Sequence, residues 1–268
     1  MKKVFCAFVF LLVLTISPPA ALARDINAFE YGIVYNYFDY EEDLVPPYKS
    51  TESGWLPGMY LGYIHEKPKA FYMKSFMEFS WGKTDYDGTT QAGTPVKDTT
   101  DNSFFRLEMD IGYTFGLGNS AICPYVGLGY RTWTRGLGGP YPYDEKYSWR
   151  YVPVGVNIDF NVNSRLNIGA NFSLRYMFNG EMEPKSSYFE AGKGNLGNKR
   201  GYFAELPVYY KLSSYISLIA TPWYAYREIG KSDYFFINDH YASISYYAYE
   251  PDSTTYQYGT TIRLVWEF

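Results

Sequence analysis

Apolar and polar residues alternate one for one along segment after segment of this chain, and that period of two constrains its fold more than any other feature. Phe105, Leu107, Met109, Ile111, Tyr113 and Phe115 are apolar, while Arg106, Glu108, Asp110, Gly112 and Thr114 between them are charged, polar or small. Successive side chains of a strand point to opposite faces, so this spacing puts grease on one face and charge on the other. On a helix the three charges would be smeared around the circumference. The pattern recurs at 149–160, where Val152, Val154, Val156, Ile158 and Phe160 face away from Gly155, Asn157 and Asp159. It recurs again at 166–178 and 256–268, and in weaker form at 29–38, 55–65, 70–82, 122–134, 200–212 and 215–228. The chain is therefore expected to be all-β, with ten antiparallel strands and a possible twelve if 234–249 adds a hairpin to the sheet.

The first residues read differently. Lys2 and Lys3 precede an uncharged run from Val4 to Ile16, then two prolines and the small-residue pattern Ala21-Leu22-Ala23. This is the plan of a secretory signal cleaved after Ala23, and the run is shorter than the roughly 20 apolar residues of a spanning helix. Residues 24–268 are then expected to form a single domain. Cleavage removes Cys6 and leaves Cys123 alone, so no internal disulfide can hold the exported protein together. The net charge of −4 argues against nucleic acid as a partner. No apolar run after Ala23 approaches a helical span, so any crossing of a membrane would be made by strands.

The gaps between strands also alternate. Those at 39–54, 83–103, 135–148, 179–199 and 229–255 are long, and those at 66–69, 116–121, 161–165 and 213–214 are short. Short turns at one end and long loops at the other are the plan of an up-and-down transmembrane β-barrel. A soluble β-sandwich or ligand-binding barrel would also alternate, but with its apolar face inside and no rule for loop lengths. Here the polar face carries Lys74, Glu78, Arg106, Glu108, Asp110, Arg131, Asp159, Arg175, Arg227, Arg263 and Glu267. It also carries glycines and partners of opposite sign, as a narrow polar lumen would. Aromatics make up 21% of the chain. Trp55, Phe71, Phe79, Trp81, Trp133, Tyr202, Tyr224, Tyr226, Tyr256 and Trp266 are expected at the two membrane interfaces.

In its export signal, its alternation along 29–268 and its last strand, the chain resembles the small bacterial outer-membrane β-barrel proteins. Tyr258, Ile262, Leu264, Trp266 and the terminal Phe268 match the C-terminal strand typical of that class. The resemblance implies residence in the outer membrane, among its lipids, and recognition of the Phe268 strand by the barrel-assembly machinery.

Ten strands enclose a lumen hardly wider than side chains can fill, and its charges of both signs are expected to pair into a plug. A structural or surface-binding role follows, with passage of small solutes as the alternative. Ten-stranded outer-membrane barrels also include the omptin proteases, which set an Asp pair and an Asp–His pair at the extracellular rim. Asp85 and Asp87 have the spacing of that Asp pair, and His240 follows Asp239. The match departs from the family in two ways. Omptins separate their Asp and His by two residues, and they place them in the fourth loop, where 179–199 holds no histidine. The bland reading of Asp85-Tyr86-Asp87-Gly88 is a turn. Two histidines and one mature cysteine give no metal site, and no motif suggests a cofactor. The aromatic stretch 234–249 is expected to form a hairpin turning near Asn238–Asp239 and folding over the lumen.

Overall fold

The computed structural model describes residues 26–90, 93–138 and 142–268. The expected export signal, 1–23, lies outside them. The strands in chain order are β1 (Ile26–Glu42), β2 (Ser50–Glu66), β3 (Ala70–Thr89), β4 (Pro95–Leu117), β5 (Ser120–Leu137), β6 (Tyr143–Asn161), β7 (Leu166–Lys185) and β8 (Phe189–Ala191). They continue with β9 (Gly194–Gly197), β10 (Arg200–Glu205), β11 (Val208–Lys211), β12 (Ile216–Ser232), β13 (Phe235–Asp239), β14 (Ile244–Ala248) and β15 (Ser253–Glu267).

β1 to β7 pair with their neighbours in order, all antiparallel. β9, β10 and β11 follow one another along a single position between β7 and β12. β12 pairs with β15, and β15 pairs with β1 from Ala28↔Glu267 to Glu42↔Ser253, which closes the ring at ten positions. The strand expected at 200–212 is thus broken at Leu206–Pro207. Proline has no N–H to give the ladder, though the Pro207 carbonyl still accepts from Gly169 N at 2.7 Å.

Closure leaves no sheet edge, which is the condition for a sheet to stand in lipid. Leu107, Met109 and Ile111 are 41%, 48% and 43% exposed on the outside of β4, while Arg106, Glu108 and Asp110 between them are buried. Ile33, Leu61, Met77, Leu128, Val154, Ile168, Leu218 and Ile262 carry the same exposed apolar band around the ring. Trp55, Phe71, Phe79, Trp81, Tyr202, Tyr224, Tyr256 and Trp266 are also exposed on the outer surface. Trp133 is a correction: it is 1% exposed and lies inside. It sits two residues from Arg131, so the two share the inner face of β5.

The expected long loops are largely strand. β4 starts at Pro95, and the β3–β4 ladder runs unbroken from Ala70↔Thr114 to Thr89↔Pro95. Asp85-Tyr86-Asp87-Gly88 lies within β3 and is not a turn. Above the apolar band the outward residues become exposed charges such as Asp39, Glu41, Lys83, Asp85, Asp101 and Lys146. The apolar signal stops where the outer face meets water, while backbone pairing continues past it.

β13 and β14 form the expected hairpin, but its turn falls at 240–243 and not at Asn238–Asp239. The hairpin pairs with β8 in a separate three-stranded sheet, so it does not widen the ring to twelve. Phe235 and Ile237 turn their side chains into the mouth of the barrel, while Phe236, Tyr247 and the flanking Tyr234 remain exposed.

Candidate functional site: the barrel lumen and its outer plug

Every residue expected in the lumen stands on the inner face of its strand. Toward the end with short turns, Arg263 Nη1 lies 3.0 Å from Glu30 Oε2. Tyr60 donates to the same oxygen at 2.9 Å, and Arg263 Nη2 donates to Thr221 at 2.8 Å. Glu267 accepts from Ser217 at 2.6 Å and lies 3.6 Å from Lys211. Asp159 is buried on the inner face of β6.

Higher up, Arg106 pairs with Glu78 at 2.8 Å, Arg175 with Glu108 at 3.1 Å, and Lys74 with Glu205 at 3.7 Å. Tyr151 donates to Glu108. It reaches that carboxylate across Gly129, where any Cβ would collide with the Tyr151 ring. Asp110 is buried, and its Oδ1 has no hydrogen-bond partner among the described residues. Arg131 and Arg227 differ from the rest. Both donate to one neutral acceptor, Gln257 Oε1, at 2.6 and 3.5 Å.

The outer half holds the largest cluster of buried apolar side chains. Phe38, Leu56, Phe104, Trp133, Trp149 and Met177 pack there with Ile229, Phe235 and Ile237. Trp133 stacks on Phe104 and Tyr147, with ring centroids 5.6 and 4.6 Å apart. Above it Arg135, 2% exposed, contacts three carboxylates: Glu52 at 2.6 Å, Glu145 at 3.0 Å and Glu42 at 3.4 Å. Thr84, Thr100 and Asn102 crowd Glu52 with further hydrogen bonds. A fourth carboxylate, Glu250, enters from the segment after β14. It accepts from Tyr147 at 2.7 Å and from Tyr40 at 3.4 Å. Ser232 ties its backbone in place, with Glu250 N donating to Ser232 Oγ at 2.8 Å. Three carboxylates thus share one guanidinium, and a fourth, Glu250, joins them through Tyr147 and Tyr40. Burial, then the Glu145 and Glu42 carboxylates, hold the Glu250 carboxyl well above the usual range, and burial likewise raises Glu42.

Among the described residues no group of His, Cys, Asp and Glu is arranged to hold a metal ion. Asp85 and Asp87 point outward from β3, where Lys49 binds Asp87 at 2.8 Å. His240 sits in the β13–β14 turn with Nε2 3.8 Å from Glu190. No contact joins His240 to either aspartate. Sequence reasoning missed Glu30, Glu42, Glu52, Arg135, Glu145 and Glu250. Arg135 and Glu145 fell inside an expected loop, yet Arg135 keeps step with Arg131 and Trp133 on β5. Continuing that count past the last apolar residue would have found it.

A family model, "Outer membrane protein beta-barrel domain", matches residues 6–194. No curated protein sequence matches the chain. Among solved structures, the outer membrane protease OmpT from Escherichia coli is similar at 10% identity, with a TM-score of 0.61 over 92% of this chain and 98% of that one. The translocator domain of autotransporter NalP from Neisseria meningitidis aligns at 10% identity and TM-score 0.42, covering 90% and 88% of the two chains. The outer membrane protein OprG from Pseudomonas aeruginosa aligns at 15% identity and TM-score 0.39, covering 91% and 97%. At these identities the likeness to OmpT is one of fold. With its apolar outer band, its closed ring and its buried charges, the chain belongs to the outer membrane protein beta-barrel domain family and is a transmembrane β-barrel of the bacterial outer membrane.

Proposed function

We propose that the protein is a closed barrel with a structural role, anchoring a folded β-platform at the outer surface of the membrane. The observation that carries this reading is the filled lumen. Most of its arginines meet carboxylates in ion pairs, an aromatic layer lies above them, and the two cavities that Arg175 lines measure about 20 Å3 each. Such a cavity holds about one water molecule, not a water file. Unpairing those buried charges to open a channel would cost several kcal/mol. Purified protein in a planar bilayer is expected to give no conductance steps above baseline. Large, stable openings would refute the closed barrel.

Peptide hydrolysis is not part of this reading. Asp87 contacts Lys49 and His240 contacts Glu190, and among the described residues no contact joins His240 to Asp85 or Asp87.

The last strand supports assembly through the C-terminal aromatic. Phe268 stacks on Phe29 with centroids 5.4 Å apart, and its N–H reaches Asn27 O at 2.9 Å across the closing seam. Deleting Phe268 removes a small part of the native contacts but the whole of the terminal aromatic. The expected result is a several-fold loss of heat-modifiable barrel from the outer-membrane fraction, while the protein refolded in detergent keeps its midpoint within a few degrees. Unchanged amounts in the envelope would rule out that role.

A further inference from the structure

Arg131 and Arg227 present an electrostatic problem that the lumen's other arginines do not have. Arg106, Arg135, Arg175 and Arg263 each touch a carboxylate. Arg131 is 5% exposed, and neither it nor Arg227 makes an ion pair among the described residues. Both send an Nη2 donor to Gln257 Oε1, so the two guanidiniums converge on one point. They also face the same ring, at 5.5 Å for Arg227 and 6.0 Å for Arg131 from the Trp149 centroid. Gln257 in turn donates to Asn36 at 3.3 Å, which fixes its oxygen toward the arginines.

A guanidinium does not give up its proton, so the repulsion cannot be relieved by titration as it could for a lysine. Arg131 Nε is buried with no acceptor. The cavity against which both residues lie has a volume of about 20 Å3. Arg175 also lines it, and its Nε is likewise unpartnered. Glu228 is the one carboxylate on that wall, and it takes its hydrogen bond from Tyr226 and makes no ion pair with the arginines. A buried and a half-buried positive charge with no counter-charge, donors without acceptors and a cavity of one-atom size occur at the same place.

We propose that this cavity is a binding site for a small inorganic anion, of which chloride is the natural candidate, held by Arg131 and Arg227. The size selects the class. A cavity of this volume takes one water-sized occupant and excludes phosphate or a carboxylate ligand. A monatomic anion accepts from several N–H groups without the directional demands of a carboxylate, and so can use donors from two strands that do not lie in one plane. Trp149 and Tyr151 form the aromatic part of the cavity wall, and an ion held there supplies the counter-charge that Arg131 and Arg227 lack.

Bromide is the probe. Crystals of the full barrel in sodium bromide are expected to show an anomalous peak between the guanidiniums of Arg131 and Arg227. The thermal midpoint of the protein in uncharged detergent micelles is expected to be roughly 3–5 °C higher in chloride than in gluconate at equal ionic strength, with saturation as chloride rises. Arg131→Gln and Arg227→Gln are each expected to abolish most of that difference. Absence of the bromide peak overturns the assignment whatever the midpoints do, and the wild-type crystal needs no variant to fold. Retention of the full chloride effect in both variants overturns it equally.

Discussion

Replacing Arg135 with alanine is expected to destabilise the barrel by about 3–5 kcal/mol, the cost of breaking a buried charge network by removing one partner. The reason is the count of charges around it. Glu42, Glu52 and Glu145 each contact this one guanidinium, and Glu250 joins them through Tyr40 and Tyr147. Without Arg135 the carboxylates repel one another inside a site closed by Trp133 and Tyr147. Lysine at 135 keeps the charge but gathers it on one nitrogen, without the separate Nε and Nη1 donors that meet Glu52 and Glu145, so Arg135→Lys is expected to fall between wild type and alanine. The check is the unfolding midpoint of the detergent-folded protein, followed by circular dichroism. An alanine variant within about 1 kcal/mol of wild type would mean that the cluster contributes little.

Glu250→Gln is expected to act in the opposite direction. The fold raises the Glu250 carboxyl well above its usual range: burial first, then the Glu145 and Glu42 carboxylates, opposed by the Tyr147 hydrogen bond and by Arg135. A carboxyl raised in the folded state binds a proton that the open state releases. Its contribution is present at low pH and is lost as pH rises from the ordinary carboxylate range through the folded value. The slope can reach about 1.4 kcal/mol per pH unit for one proton. Glutamine keeps the shape and the hydrogen bonds but has nothing to ionise, so E250Q is expected to be more stable than wild type at neutral pH and to lose Glu250's share of the slope. Glu250 lies on the segment that joins the β13–β14 hairpin to β15, and Ser232 pins that segment from β12. Release at alkaline pH should therefore expose 233–252 to protease before the barrel itself unfolds. Equal cleavage at pH 5 and pH 9 would exclude this latch.

The strand faces were readable because two different neighbours act on them at every position. Lipid selects Leu107, Met109 and Ile111 on one side, and a packed polar interior selects Arg106, Glu108 and Asp110 on the other. That contrast vanishes above the membrane. At 95–103 the outer face meets water and the inner face meets Glu52 through Thr100 and Asn102, so both faces are polar and the alternation of hydropathy disappears while the strand goes on. The Arg135 cluster lies wholly in that zone, which is why the ion pairs of mid-lumen were legible and the plug was not. Trp133 fails for a related reason. An aromatic near a strand end suits a membrane interface, but its parity with Arg131 turns it inward, and parity is the stronger constraint because one step of register exchanges the two faces. The lid-like position of the hairpin came from its aromatic content. Its pairing with β8 joins residues far apart in the chain, and nothing local encodes that.

Cys123 offers the most direct test of a closed lumen, because it is the chain's own reporter. It stands on the inner face of β5, 1% exposed, among Tyr72, Tyr125, Ile26 and Val265. The measurement is the rate at which a small charged methanethiosulfonate labels Cys123 in the folded protein, with the unfolded protein as reference. A filled barrel keeps the thiol unlabelled for hours and yields full labelling only on unfolding. Labelling of the folded barrel within minutes would mean that water reaches the inner wall and that the lumen is open.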